Sequence, residues 1–163
     1  ANSNVAVGND ALYSNSTGTY NVALGAYSLD ANTTGTQNTA VGHVALSANT
    51  TASNNTAMGF NCLVSNTTGS KNTAFGAYAM DANTSASEST AFGYGALGSS
   101  NASENDAFGE ACLANNTTGT RNAAFGGASM QLNTTGGYNT AFGFGTLYAN
   151  TTASNNTALG YML

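Results

Sequence analysis

Side chains able to do acid–base, nucleophilic or metal chemistry are few in this chain of 163 residues. They comprise one histidine (His43), two cysteines (Cys62, Cys112), two strong bases (Lys71, Arg121) and seven acids (Asp10, Asp30, Asp81, Glu88, Glu104, Asp106, Glu110). General acid–base work needs a pair of such groups in reach of one substrate, and a zinc site needs three or four convergent ligands. His43 has no second histidine to join, and no serine or cysteine stands beside a base that could activate it. The acids make no matched row, and the Gly-Gly-x-Gly-x-Asp calcium repeat is missing. These residues predict a protein that is not an enzyme, with no catalytic residue, no metal site and no cofactor.

The elements that carry these residues are more informative than the residues themselves. Asn (24), Thr (24) and Gly (20) supply 68 positions, while Pro, Trp and Ile are absent and charged residues reach only 6%. A net charge of −5 with two isolated bases excludes the counterion-displacing patch that nucleic acid requires. No apolar run approaches the roughly 18 residues of a membrane helix. The start, Ala1-Asn2-Ser3, has no basic or apolar leader region, so a signal peptide is expected to be absent or already removed.

One pentapeptide recurs along the chain: Asn, variable, Ala, large apolar, Gly. It begins at residues 4, 21, 38, 55, 72, 89, 105, 122, 139 and 156, at intervals of 17 broken once by 16. Counting from each start, position 4 is Val7, Leu24, Val41, Met58, Phe75, Phe92, Phe108, Phe125, Phe142 and Leu159. Position 9 is Leu12, Leu29, Leu46, Leu63, Met80, Leu97, Leu113, Met130 and Leu147. Position 8 is small, and position 12 is nearly always Asn. A 17-residue unit is too short for helix-pair repeats. Its first five positions alternate with the period of a strand, and the Asn- and Gly-rich remainder supplies turns.

The economical architecture is an all-β parallel β-solenoid, with residues 1–163 forming a single repeat domain of about ten stacked coils. At about 4.8 Å per strand it makes a rod on the order of 48 Å long. The pattern predicts that positions 4 and 9 form apolar ladders inside the coil. The opposite strand face, Ala23, Gly25, Ala40, Gly42, Ala57, Gly59, Ala74, Gly76, Ala91 and Gly93 among others, is too small to fill a core. Its constant smallness predicts close approach of another backbone, and a thin coil predicts that the approaching chain is another copy, making an obligate homo-oligomer.

The pentapeptide, in forms such as Asn-Thr-Ala-Phe-Gly and Asn-Val-Ala-Leu-Gly, resembles the YadA-like head repeats of trimeric autotransporter adhesins. The fuller unit from Asn72 to Met80, followed by Asn83-Thr84, resembles related repeats of phage and viral tail-fibre proteins. The resemblance covers essentially the whole chain and implies a homotrimeric left-handed β-roll. It also implies an extracellular, cell-surface or virion location and a role as rigid shaft or adhesive head. The chain starts just before one unit and stops within the tenth, at Leu163, as expected of a segment of a longer fibre or of a subunit stacking end to end.

Remaining positions have local readings. His43 falls at variable position 6 and is expected in solvent. Cys62 and Cys112 replace alanine at buried position 8; three coils separate them, about 14 Å, beyond the roughly 7 Å reach of a disulfide. Sequons place candidate glycans at Asn15, Asn32, Asn49, Asn66, Asn83, Asn116, Asn133 and Asn150, in file at position 12. Positions 14 and 16 form a Thr-x-Thr-like row, such as Thr34/Thr36 and Thr118/Thr120, of the kind ice-binding solenoids use. The tyrosines at positions 6, 7, 10 and 17 suit contact with host-surface carbohydrate or protein.

Overall fold

A computed structural model describes residues 3–162; Ala1, Asn2 and Leu163 lie outside them. The chain is all-β and forms a β-solenoid of about nine turns, with no helix among the described residues. Its strands are β1 (Val5–Val7), β2 (Val22–Leu24), β3 (Thr39–Val41), β4 (Thr56–Met58), β5 (Thr73–Phe75), β6 (Thr90–Phe92), β7 (Asp106–Phe108), β8 (Ala123–Phe125), β9 (Thr140–Phe142) and β10 (Thr157–Leu159). They make one parallel sheet in sequence order. The register matches like with like, Ala74 beside Ala91 and Phe75 beside Phe92. The 16-residue interval does not disturb it, since Ala91 still faces Ala107.

Three corners in most coils turn in the left-handed region without glycine, Gly95 and Gly145 taking the first of them in the sixth and ninth coils. In the fifth coil they are Tyr78 (φ 59°), Met80 (φ 52°) and Glu88 (φ 59°), at repeat positions 7, 9 and 17. Such a conformation costs an ordinary residue roughly 1–2 kcal/mol. Bonds between coils offset it: the amides of Tyr78, Met80 and Glu88 donate to the carbonyls of Phe60, Ala96 and Ser70 at 3.0, 3.0 and 3.1 Å. The recurrent strain is therefore tied to stacking, and no coil could hold it alone.

The core corrects half of the predicted pattern. Position 9 is inside as expected: Leu29, Leu46, Leu63, Met80, Leu97, Leu113 and Met130 are fully buried. Opposite it lies not the large apolar row but the alanines, Ala23, Ala40, Ala57, Ala74 and Ala91 being fully buried too. The row of Val7, Leu24, Val41, Met58, Phe75, Phe92, Phe108, Phe125, Phe142 and Leu159 stands on the outer face of the sheet, half-buried or exposed. The coil is too narrow for a second large side chain: the Cys62 thiol at position 8 already reaches across to the Ala74 carbonyl at 3.3 Å.

The glycines of position 5 are likewise small for a reason within the chain. Gly76 has φ 132°, and a Cβ there would lie 2.5 Å from the carbonyl oxygen of Gly93 in the next coil. Gly25, Gly42, Gly59 and Gly93 meet the next coil's backbone in the same way. The expected close approach is thus between coils of one chain, and the Ala/Gly face does not await another copy.

Two asparagine ladders complete the interior. Asn55 at position 1 accepts from the Asn72 amide at 3.0 Å and donates to the Gly69 carbonyl at 2.9 Å. Asn66 at position 12 donates to the Asn49 side chain at 3.1 Å and to the same Gly69 carbonyl at 2.9 Å. Each buried amide is satisfied by its neighbours, as a polar core requires. The sixth coil interrupts both ladders with serines, Ser89 and Ser100, which remain buried.

Candidate functional site

The described residues form no pocket and no His, Cys, Asp and Glu cluster able to hold a metal; the candidate sites are surface rows that run along the rod. The first row is the outer sheet face. Phe75, Phe92, Phe108, Phe125 and Phe142 stack nearly parallel, with successive ring centroids 4.8, 5.3, 4.7 and 5.6 Å apart. Beside them runs position 2, from Val22 through Thr39, Thr56, Thr73 and Thr90, interrupted by one charge, Asp106. This face carries an apolar file flanked mainly by threonines; Phe75, Phe108 and Phe125 are half-buried, and Phe142 near its end remains 56% exposed.

A second row lies at the corner after the sheet. Tyr27, His43, Phe60, Tyr78 and Tyr94 form one continuous file, with centroid steps of 5.9, 5.6, 5.4 and 5.6 Å. The rings come from position 7, 6, 6, 7 and 6 in successive coils. The left-handed turn brings both positions to the same file, so sequence alignment of the coils does not display it. His43 is solvent-exposed, as expected, and lies flat on Phe60 with 15° between planes. A shorter pair, Phe144 and Tyr161, continues the file at the far end with centroids 5.7 Å apart.

Position 17 carries both bases and the two ion pairs. Lys71 pairs with Glu88 at 2.7 Å, and Arg121 pairs with Glu104 at 2.6 Å while lying over the Tyr138 ring at 5.3 Å. The shortened coil brings Glu104 into this column beside Glu88, two carboxylates in neighbouring coils that the numbering did not align. Lys71 holds the Glu88 carboxyl below its usual range by hydrogen bond and charge. Both pairs are solvent-exposed and therefore weak contributors to stability.

The Thr-x-Thr row divides. Position 16 hydroxyls accept from backbone amides in the preceding coil, as Ser53 does from Thr36 at 2.9 Å and Ser87 from Ser70 at 2.9 Å. Position 14, including Thr17, Thr34, Thr51, Thr68 and Thr118, points into solvent from a bend. The row is thus a turn row, with its position 16 hydroxyls engaged by backbone amides.

The glycan row is corrected outright. Asn32, Asn49, Asn66, Asn83, Asn116 and Asn133 are fully buried and bonded, so no sugar can be attached in the folded state. Asn15 and Asn150, in the end coils, are half-buried, and each donates to a carbonyl three residues on, Gly18 and Ala153. Cys62 and Cys112 are buried, and burial pushes both thiols up to about 12. Asp30 and Asp81, at position 10 beside the aromatic corner, have carboxyls raised above their ordinary value by burial.

Compared with known protein families, with curated proteins and with solved structures, the chain matches none.

Proposed function

We propose that this chain is a structural and adhesive fibre segment: a rigid rod that associates with copies of itself through the outer sheet face and displays its corners for multivalent attachment. The observation that carries this is the uncovered row of position 4. Parallel sheets are ordinarily covered on both faces, and an open file of ten large apolar side chains along the rod is the kind of patch that marks an interaction site.

Three copies around an axis fit the face better than two. Nine coil steps by three residues make a strip of about 43 by 10 Å, so one flat partner buries about 900 Å² in total, below the roughly 1,200 Å² of a stable interface. A threefold arrangement covers each row from both flanks. The homotrimer, the left-handed coil and an extracellular, cell-surface or virion location also follow from the resemblance of the repeat to YadA-like adhesin heads and viral tail-fibre repeats. The mechanism is spacing and avidity: a stiff shaft holds many weak contacts at fixed separations.

Light scattering on the purified chain tests this. A mass three times 16.2 kDa is expected, falling to that of one chain in Phe108→Glu, which places a charge in the middle of the stacked rings. A stable, folded monomer at micromolar concentration would sink the proposal.

A further inference from the structure

The five-ring file at the aromatic corner has no structural task comparable to the Leu/Met ladder, because positions 6 and 7 are Asn9-Asp10, Glu110-Ala111 and Gly127-Ala128 in three of the other coils, rings returning only at Phe144 and Tyr161 in the last two. Yet in five consecutive coils one of the two positions carries a ring and the other does not: Ala26, Val44, Asn61, Ala77 and Gly95 are the partners. The backbone fixes the spacing. Position 7 amides donate to position 6 carbonyls of the previous coil, as Val44 does to Ala26 at 3.0 Å and Tyr78 to Phe60 at 3.0 Å. The rings are held edge to face or stacked against one another, so little side-chain freedom is left to lose on binding. They still present surface to solvent, Tyr94 being 59%, Phe60 45% and Tyr27 41% exposed.

Charge narrows the occupant. Asp10 and Glu110 stand in the coils that bound the file, and Asp30 and Asp81 lie beside it at position 10. Lys71 and Arg121 are engaged by Glu88 and Glu104 in another column. A polyanion, whether nucleic acid, sulfated glycan or phospholipid surface, therefore meets acids and no unpaired lysine or arginine, with His43 the one imidazole in the file. Spacing narrows it further. Alternate side chains of an extended peptide advance by about 6.6–6.8 Å, whereas the rings step by 5.4–5.9 Å, a mismatch that accumulates over four steps. A linear polymer of pyranose rings has one apolar C–H face and several hydroxyls per unit, and its single-ring unit is shorter than the two-residue step of a peptide and so nearer the ring steps.

The geometry points to the file Tyr27–His43–Phe60–Tyr78–Tyr94 as a binding strip for a linear, uncharged polysaccharide lying along the rod axis. The apolar C–H faces of the sugars rest against the solvent-exposed sides of the rings, and the flanking polar groups, Asn61 among them, receive the hydroxyls. This deepens the adhesive-rod reading by naming the class of surface the rod would hold.

The test is retention of the full chain on chitin beads and microcrystalline cellulose, and its affinity for a soluble β-glucan. Retention on at least one is expected, weakened on the order of tenfold in Phe60→Ala/Tyr94→Ala and unchanged in Thr68→Ala, an exposed turn residue away from the file. The pair Phe60→Leu/Tyr94→Leu keeps apolar bulk without rings and is expected to lose binding equally. Strand circular dichroism and mass by light scattering should match the parent in every variant. No retention on any of the three probes, undiminished binding by either double variant, or binding of heparin or a polylysine peptide in their place overturns the assignment. So does loss of self-association in these variants, which would make the file part of the interface between copies. Failure of the polysaccharide test with the trimer mass intact leaves the self-associating rod standing.

Discussion

At the scale of single residues, the molecule carries strain and burial where the residue types alone advertise little. Val44 is a β-branched side chain at φ 53°, a conformation such residues almost never hold. The same repeat position is Asn61 one coil later, at φ 54°. Val44→Asn should therefore raise stability by about 1 kcal/mol, read as a shift of the urea midpoint with an unchanged slope. The thiols give a pH dependence of definite sign. Folding raises Cys62 and Cys112 from 9.0 to about 12, so the folded state keeps its protons where the unfolded chain has lost them. Their contribution is complete below about pH 9 and declines as pH rises from there towards 12. Cys62→Ala/Cys112→Ala should remove that part of the alkaline destabilisation, and neither thiol should react with a maleimide until the chain unfolds.

At the scale of the coil, stability rests on contacts that repeat every 17 residues, so one substitution acts on two neighbours at once. Asn55→Ala would remove the acceptor of the Asn72 amide and one donor to the Gly69 carbonyl. Because that amide is buried, the expected loss is about 2–4 kcal/mol by denaturant titration. Gly76→Ala would drive a methyl group to 2.5 Å from the Gly93 carbonyl oxygen, and it should separate the fifth and sixth coils, costing more than about 3 kcal/mol. Hydrogen exchange should then show the loss of protection spreading from that junction, because each coil is held only by its neighbours. The sixth coil, which carries Ser89 and Ser100 in place of both ladder asparagines, should exchange fastest among interior coils of the parent chain.

At the scale of the whole molecule, two surface rows run the same way along the solenoid, and the proposed function gives them different ends. The apolar outer sheet face is the one that association should remove from water, and the aromatic corner beside it is the one that should remain open. A concentration-dependent melting temperature in the parent chain, lost in Phe108→Glu, would be the thermodynamic mark of the first, since binding between copies stabilises only the folded state. The low charge of the surface belongs to the same scale. Identical coils place equivalent side chains about 4.8 Å apart, and the bases occur only where a neighbouring coil supplies an acid, Lys71 beside Glu88 and Arg121 beside Glu104.

The repeat spacing alone determined that the chain is a parallel solenoid, where each coil begins, and that the leucines and methionines of position 9 are inside. A period of 17 with invariant Ala and Gly leaves few other ways to pair strands. It did not determine which face of the three-residue strand turns inward, because alternation is symmetric and the usual preference of large apolar groups for the interior pointed to Phe75 and its neighbours. The tertiary structure decided for Ala74, since the coil closes so tightly around Met80 and the bonded asparagines that only a methyl group fits. It likewise buried the sequons of position 12 and gathered rings from two repeat positions into one file. Both outcomes depend on left-handed corners at Tyr78, Met80 and Glu88, whose strain is offset only by hydrogen bonds to adjacent coils and so cannot be read from any one unit.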